Sequence, residues 1–166
     1  AGGDLLALTS ARAQGRDSVE VLRVLDLRRG TLLPSEASLA GPLAGMRFST
    51  DASTIAAWGG VESDPRLIRV ELLSRPPLRL GIPYAEGDVR DGAFSSDNKT
   101  FNAVLAAKAD LSQGNELLRW DTQTGKLLGR TQLTGEPLAL AVSASGSRLA
   151  VGGPTRTPQA GVPVWP

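Results

Sequence analysis

The stretch GPLAGMRFSTDASTIAAWGG, residues 41–60, carries a pattern that recurs twice further along the chain. The other copies are GDVRDGAFSSDNKTFNAVLAA, residues 87–107, and GEPLALAVSASGSRLAVGG, residues 135–153. In each copy an apolar anchor follows the first Gly by seven positions, a serine comes next, and a second apolar anchor lies seven positions after the first. The anchor pairs are Phe48 and Ile55, Phe94 and Phe101, and Val142 and Leu149. The first anchors lie 46 and 48 residues apart, a period typical of repeat proteins.

This repeated pattern predicts a β-hairpin. The residues before each first anchor alternate between apolar and small or polar types, which is typical of a half-buried strand. The segment between the anchors is rich in Ser, Asp, Asn and Gly, which tolerate the backbone of a tight turn. The Ala and Gly residues after each turn would let neighbouring sheets approach closely. The sequence therefore predicts hairpins that pack face to face around an axis.

A second repeated pattern lies between the hairpins. Its copies are VLRVLDLRRGTLL from Val21, RLIRVELLSRPPL from Arg66, and ELLRWDTQTGKLL from Glu116. An acidic residue ends each apolar run, and in two copies a Gly follows four positions later; these residues are Asp26 with Gly30, Glu71, and Asp121 with Gly125. Trp165 lies 45 residues after Trp120 and is expected to occupy its register. Together the two patterns predict four-stranded units of about 45–50 residues, ordered as outer strand, turn, short strand and hairpin.

These units predict an all-β fold, a β-propeller made of four-stranded antiparallel blades. We expect about three and a half blades, roughly fourteen strands, in a single partial-ring domain. The expected divisions are a half blade at 1–30 and blades at 31–75, 76–125 and 126–166. An open ring would expose strand edges and apolar blade faces. We therefore expect the remaining blades to come from sequence outside this chain or from another chain.

The sequence resembles the Trp-Asp (WD) repeat family of propellers. The resemblance rests on Trp120-Asp121 within LLRWDTQTGKLL and on the FSTD and FSSD turns at Phe48 and Phe94. The family's Gly-His dipeptide is absent, because the chain has no histidine; Gly41-Pro42, Gly87-Asp88 and Gly135-Glu136 stand in its place. The alternative assignment is a divergent bacterial propeller of the seven-bladed surface or quinoprotein-like types.

The composition excludes several function classes. The 166 residues are 41% apolar and 21% charged, which is globular composition, and the net charge of +1 argues against a nucleic-acid partner. No apolar run is long enough to span a bilayer. Without Cys or His the chain has no disulfide, no Ser-His-Asp triad, no thiol nucleophile and no His-ligated metal. It also lacks phosphate-binding glycine motifs. We therefore assign no catalytic residue, metal or cofactor, and the cellular compartment stays unknown.

Five residues are candidates for contact with a protein or peptide partner. They are Arg47, Trp58, Glu86, Asp88 and Arg90. Trp58 stands where the sister repeats have small or medium residues, so it is either an exposed contact anchor or a core residue. The stretch YAEGDVRDG, residues 84–92, could ligate Ca²⁺ through carboxylates, or it is a charged loop entering a strand, with Arg90 paired to a neighbour.

Three polar segments, 10–18, 109–115 and 152–161, are expected to be loops that cluster on one rim of the ring, where propellers place binding residues. The leading hypothesis is a non-enzymatic interaction scaffold or sensor that belongs to a larger protein or complex. One alternative is a propeller enzyme or ligand-binding domain whose active groups lie in missing blades. Another is an assembly subunit of the cell envelope.

Overall fold

A computed structural model describes residues 4–14, 17–40, 42–61, 64–71, 78–80, 87–107, 114–154 and 164–165. All regular structure in these residues is β-strand. The first seven strands are β1 (Leu5–Gln14), β2 (Asp17–Asp26), β3 (Thr31–Ala40), β4 (Leu43–Phe48), β5 (Thr54–Val61), β6 (Asp64–Glu71) and β7 (Leu78–Arg79). The other seven are β8 (Gly87–Phe94), β9 (Thr100–Ala107), β10 (Asn115–Asp121), β11 (Leu127–Leu133), β12 (Ala139–Val142), β13 (Leu149–Gly152) and β14 (Val164–Trp165).

The strands form four antiparallel sheets that follow one another along the chain. The first sheet is β1-β2-β3, the second β4-β5-β6-β7, the third β8-β9-β10-β11, and the fourth β12-β13-β14. Strands adjacent in sequence are neighbours in each sheet, which is the meander of a propeller blade. The predicted all-β fold of four-stranded antiparallel blades is confirmed. The fourteen strands of the described residues also match the expected number.

The order of strands within a sheet differs from the predicted order. The strand that ends in Trp120-Asp121, β10, lies between β9 and β11 and is therefore the third strand of its sheet, not the outer one. The outer position belongs to β11, which follows the turn with Gly125. The same holds in the first sheet, where β3 pairs with β2. The sheets are thus offset by one strand from the units at 31–75, 76–125 and 126–166.

One predicted loop is also corrected. The polar segment 10–18 is mostly strand, because β1 and β2 pair as far as Gln14 and Asp17. Ser10 and Arg12 are exposed residues of β1, and Arg23 donates to Ser10 Oγ at 3.4 Å. The predicted loops at 109–115 and 152–161 fall largely outside the described residues.

The three repeated hairpins have equivalent geometry. The anchor pairs stand directly opposite each other: Phe48 with Ile55, Phe94 with Phe101, and Val142 with Leu149. In each turn the serine after the first anchor accepts a hydrogen bond through Oγ from the amide five residues later, at 3.0 Å. The third residue after that serine is Ala52, Asn98 or Gly146, with φ of 57°, 59° and 71°. The repeat found in the sequence is therefore a structural repeat.

Two of these turns are held by an ionised carboxylate. Ser49 Oγ donates to Asp51 at 2.6 Å, and this bond, together with the Ser53 amide, holds the pKa of the Asp51 carboxyl below its ordinary value of 3.8. Asp97 has the same arrangement, and the Ser95 hydroxyl followed by the Lys99 amide lowers its pKa. Hydrogen bonds to the charged form favour that form. The turns are therefore most stable when both carboxylates are ionised.

This arrangement predicts acid sensitivity of the fold. Both pKa values are lower in the folded state, so the stabilisation is complete above pH 3.8 and is lost as the pH falls through the folded-state values. We expect the urea midpoint to fall less between about pH 5 and 2.5 in an Asp51→Asn/Asp97→Asn variant than in the wild type. Identical pH profiles would contradict this account. The third turn, with Ser145 in place of Asp, contributes no titration.

The core lies between successive sheets in three clusters. The first and second sheets enclose Leu22, Val24, Ala37, Ile55 and Ala57. The second and third enclose the largest cluster, with Trp58, Phe94, Phe101 and Trp120 at its centre. The third and fourth enclose Val104, Leu133, Leu140 and Val151. Each sheet therefore covers an apolar face of the next, which is how propeller blades are stabilised.

Candidate functional site

The first strands of the second, third and fourth sheets adjoin one another, with β8 in contact with both β4 and β12. A buried carboxylate, Asp91, connects them. Its Oδ2 accepts from the Leu140 amide at 2.9 Å, and its Oδ1 accepts from the Gly92 amide at 2.9 Å and from Arg47 Nη2 at 3.2 Å. Asp91 follows a β-bulge in β8. One side chain thus bonds to groups from three sheets.

A second group of charges lies where β8 and β12 begin, at the rim opposite the hairpin turns. Arg90 Nη2 lies 3.9 Å from Asp88 Oδ2 and 3.8 Å from Glu136 Oε1. All three side chains are exposed, so these long pairings contribute little stability. The groups are therefore available for charged partners. We call Arg47, Asp88, Arg90, Asp91 and Glu136 the inner-strand charge cluster.

The structure brings three of the five candidate contact residues onto adjoining strands. Arg47 lies on β4, with its side chain more than half exposed, and Asp88 and Arg90 lie on β8. Glu86 falls outside the described residues. The proximity of Arg90 to its acidic neighbours agrees with the paired-loop interpretation of 84–92, although the segment from Gly87 is strand.

Trp58 is a core residue, which corrects its interpretation as an exposed contact anchor. Its side chain is 3% exposed and packs in the cluster between the second and third sheets. It stands opposite Gly45 in β4, and a Cβ at Gly45 would lie 2.5 Å from the indole ring. The indole fills the space that a side chain at Gly45 would occupy, so the pair has complementary sizes.

Glu136 and the bridging role of Asp91 were not predicted. The repeat register offered a signal for Glu136, because Gly135-Glu136 corresponds to Gly87-Asp88. The bridging role of Asp91 offered none, because the two partners from other sheets lie 44 and 49 residues away in the sequence.

The second repeated pattern forms the turns beside the hairpin rim. Asp121 Oδ1 accepts from the amides of Gln123 and Thr124 at 3.0 and 2.7 Å, and Gly125 has φ of 72°. Asp26 and Gly30 form the same turn in the first sheet. These acidic residues are structural, since each satisfies turn amides. The exposed charges of Asp88, Arg90 and Glu136 lie at the opposite rim.

The chemistry of the cluster is that of ionic and hydrogen-bond recognition. In the part of the chain that the structure covers, no three carboxylates come together as a metal site would require. The same residues contain no helix with the length and apolarity to cross a membrane. The cluster offers two guanidinium groups and three carboxylates, which can pair with charged groups of either sign.

Comparison with known proteins supports the fold. No protein-family model matches the sequence, and no curated protein matches it. Several solved structures do resemble it at low sequence identity. One is the Cps50 (Swd1) β-propeller domain of Myceliophteria thermophila, with a TM-score of 0.58 and 18% identity over 82% of this chain and 45% of that one.

Two further similar structures are enzymes. The hydrazine synthase of Kuenenia stuttgartiensis has a TM-score of 0.63 and 16% identity, and the match covers 90% of this chain and 47% of that one. The acylaminoacyl peptidase of Pyrococcus horikoshii has a TM-score of 0.62 and 14% identity, with 98% and 29% covered. The chain spans less than half the length of these structures. The likeness establishes a propeller fold.

Proposed function

We propose that this chain is a non-enzymatic interaction scaffold in which the inner-strand charge cluster binds a protein or peptide partner. The observation that carries the proposal is the position of Arg90 between Asp88 and Glu136, exposed at the rim where β8 and β12 begin. Arginine is enriched among the residues that dominate binding energy at protein interfaces.

The rigidity of the inner strands supports the same proposal. Asp91 bonds to the Leu140 amide and to Arg47, so the Arg47 guanidinium of the cluster is held in place before a partner arrives. A preorganised surface loses less conformational entropy on binding. The net charge of +1 favours a polypeptide over a nucleic acid as the partner.

We also propose that the chain is a divergent member of the Trp-Asp repeat propellers. Trp120 is fully buried between the second and third sheets, and Asp121 organises the turn that follows β10. In the first sheet Leu25 and Asp26 take the same positions. The missing histidine is the main departure from that family.

A second candidate is a propeller that serves an enzyme or binds a small ligand, with the reacting groups outside this chain. Two of the similar structures are a hydrazine synthase and an acylaminoacyl peptidase. This similarity in fold supports the second candidate. Native mass spectrometry of the purified protein separates the two, because a retained polypeptide and a retained small molecule differ greatly in added mass.

The scaffold proposal is tested by affinity purification with two matched arginine variants. Arg90→Ala removes the guanidinium of the cluster, whereas Arg29→Ala removes an exposed one in the turn at the opposite rim. We expect Arg90→Ala to weaken retention of a specific polypeptide by at least about tenfold, with Arg29→Ala equal to the wild type. If both variants retain the polypeptide equally, or none is retained by the wild type, the proposal is wrong.

A further inference from the structure

We draw no further inference here: the strongest candidate, the cavity between the third and fourth sheets that Asn102, Arg119 and Leu149 line, adjoins β14, the two-residue strand that pairs with Leu149, and nothing in the described residues shows what covers it.

Discussion

Replacing Phe101 by Ala should lower the free energy of unfolding by about 3–5 kcal/mol. Phe101 is fully buried and its ring lies 5.0 Å from Phe94, 6.2 Å from Trp58 and 6.5 Å from Trp120 between ring centroids. The substitution removes the centre of the largest core cluster, and these rings belong to two different sheets. The cavity would therefore loosen the contact between the second and third sheets as well as the hairpin itself.

Thermal and urea unfolding measure this loss. For a domain of this size we expect the melting temperature to fall by roughly 6–20 °C. Leu128→Ala, at an exposed leucine 45% accessible, serves as the control and should change stability by less than about 0.5 kcal/mol. Leu149→Ala, at the same hairpin position in the fourth sheet, should cost less than Phe101→Ala, because Leu149 is only half-buried. If Phe101→Ala and Leu128→Ala lower the free energy of unfolding equally, Phe101 is not at the centre of the core.

The hairpins could be predicted from the sequence because their determinants are local. The anchor pair Phe94 and Phe101, the serine between them and the turn carboxylate all lie within eight residues. A period of seven between facing residues fixes both the strand pairing and the turn, and three copies make the pattern unmistakable. The same local chemistry predicted the turns at Asp26 and Asp121.

The order of strands in a sheet could not be predicted in the same way. In a repeating series of four strands, each strand is preceded and followed by others of the series. The sequence therefore does not reveal which strand begins a sheet and which lies at its outer edge. Only the hydrogen bonds between β10 and β11 show that the strand after the turn is the last of its sheet. The segment 10–18 is polar and long for a hairpin, which predicts a loop, yet Ser10 and Arg12 are exposed residues of strand β1.

The candidate site was only partly predictable, since its contacts are long-range. The sequence alone allows Trp58 to be exposed or buried, because the space that its indole fills is left by Gly45 on the neighbouring strand. A charged residue in a strand is expected to be exposed, and nothing near Asp91 in the sequence identifies the Leu140 amide and Arg47 as its partners.

Replacing Asp91 by Ala should cost about 2–3 kcal/mol of stability and weaken the joint between three sheets. The variant leaves the buried amides of Leu140 and Gly92 without this acceptor and leaves Arg47 without its carboxylate. Asp91→Asn keeps one acceptor oxygen and should cost less. The control Asp88→Ala removes an exposed carboxylate three residues away and should stay within about 0.5 kcal/mol of the wild type.

A double-mutant cycle with Arg47→Ala assigns the ionic part of the effect. If Asp91 acts through Arg47 as well as through the amides, the two substitutions together should cost less than the sum of their separate effects, by about 0.5 kcal/mol or more. The loss of stability that Asp91→Ala still causes in the Arg47→Ala background is assigned to the bonds from the Leu140 and Gly92 amides to Asp91. If Asp91→Ala unfolds at the same urea concentration as Asp88→Ala, the carboxylate does not join the sheets. The inner strands would then be held by apolar packing alone, and the charge cluster would lose the support on which its preorganisation rests.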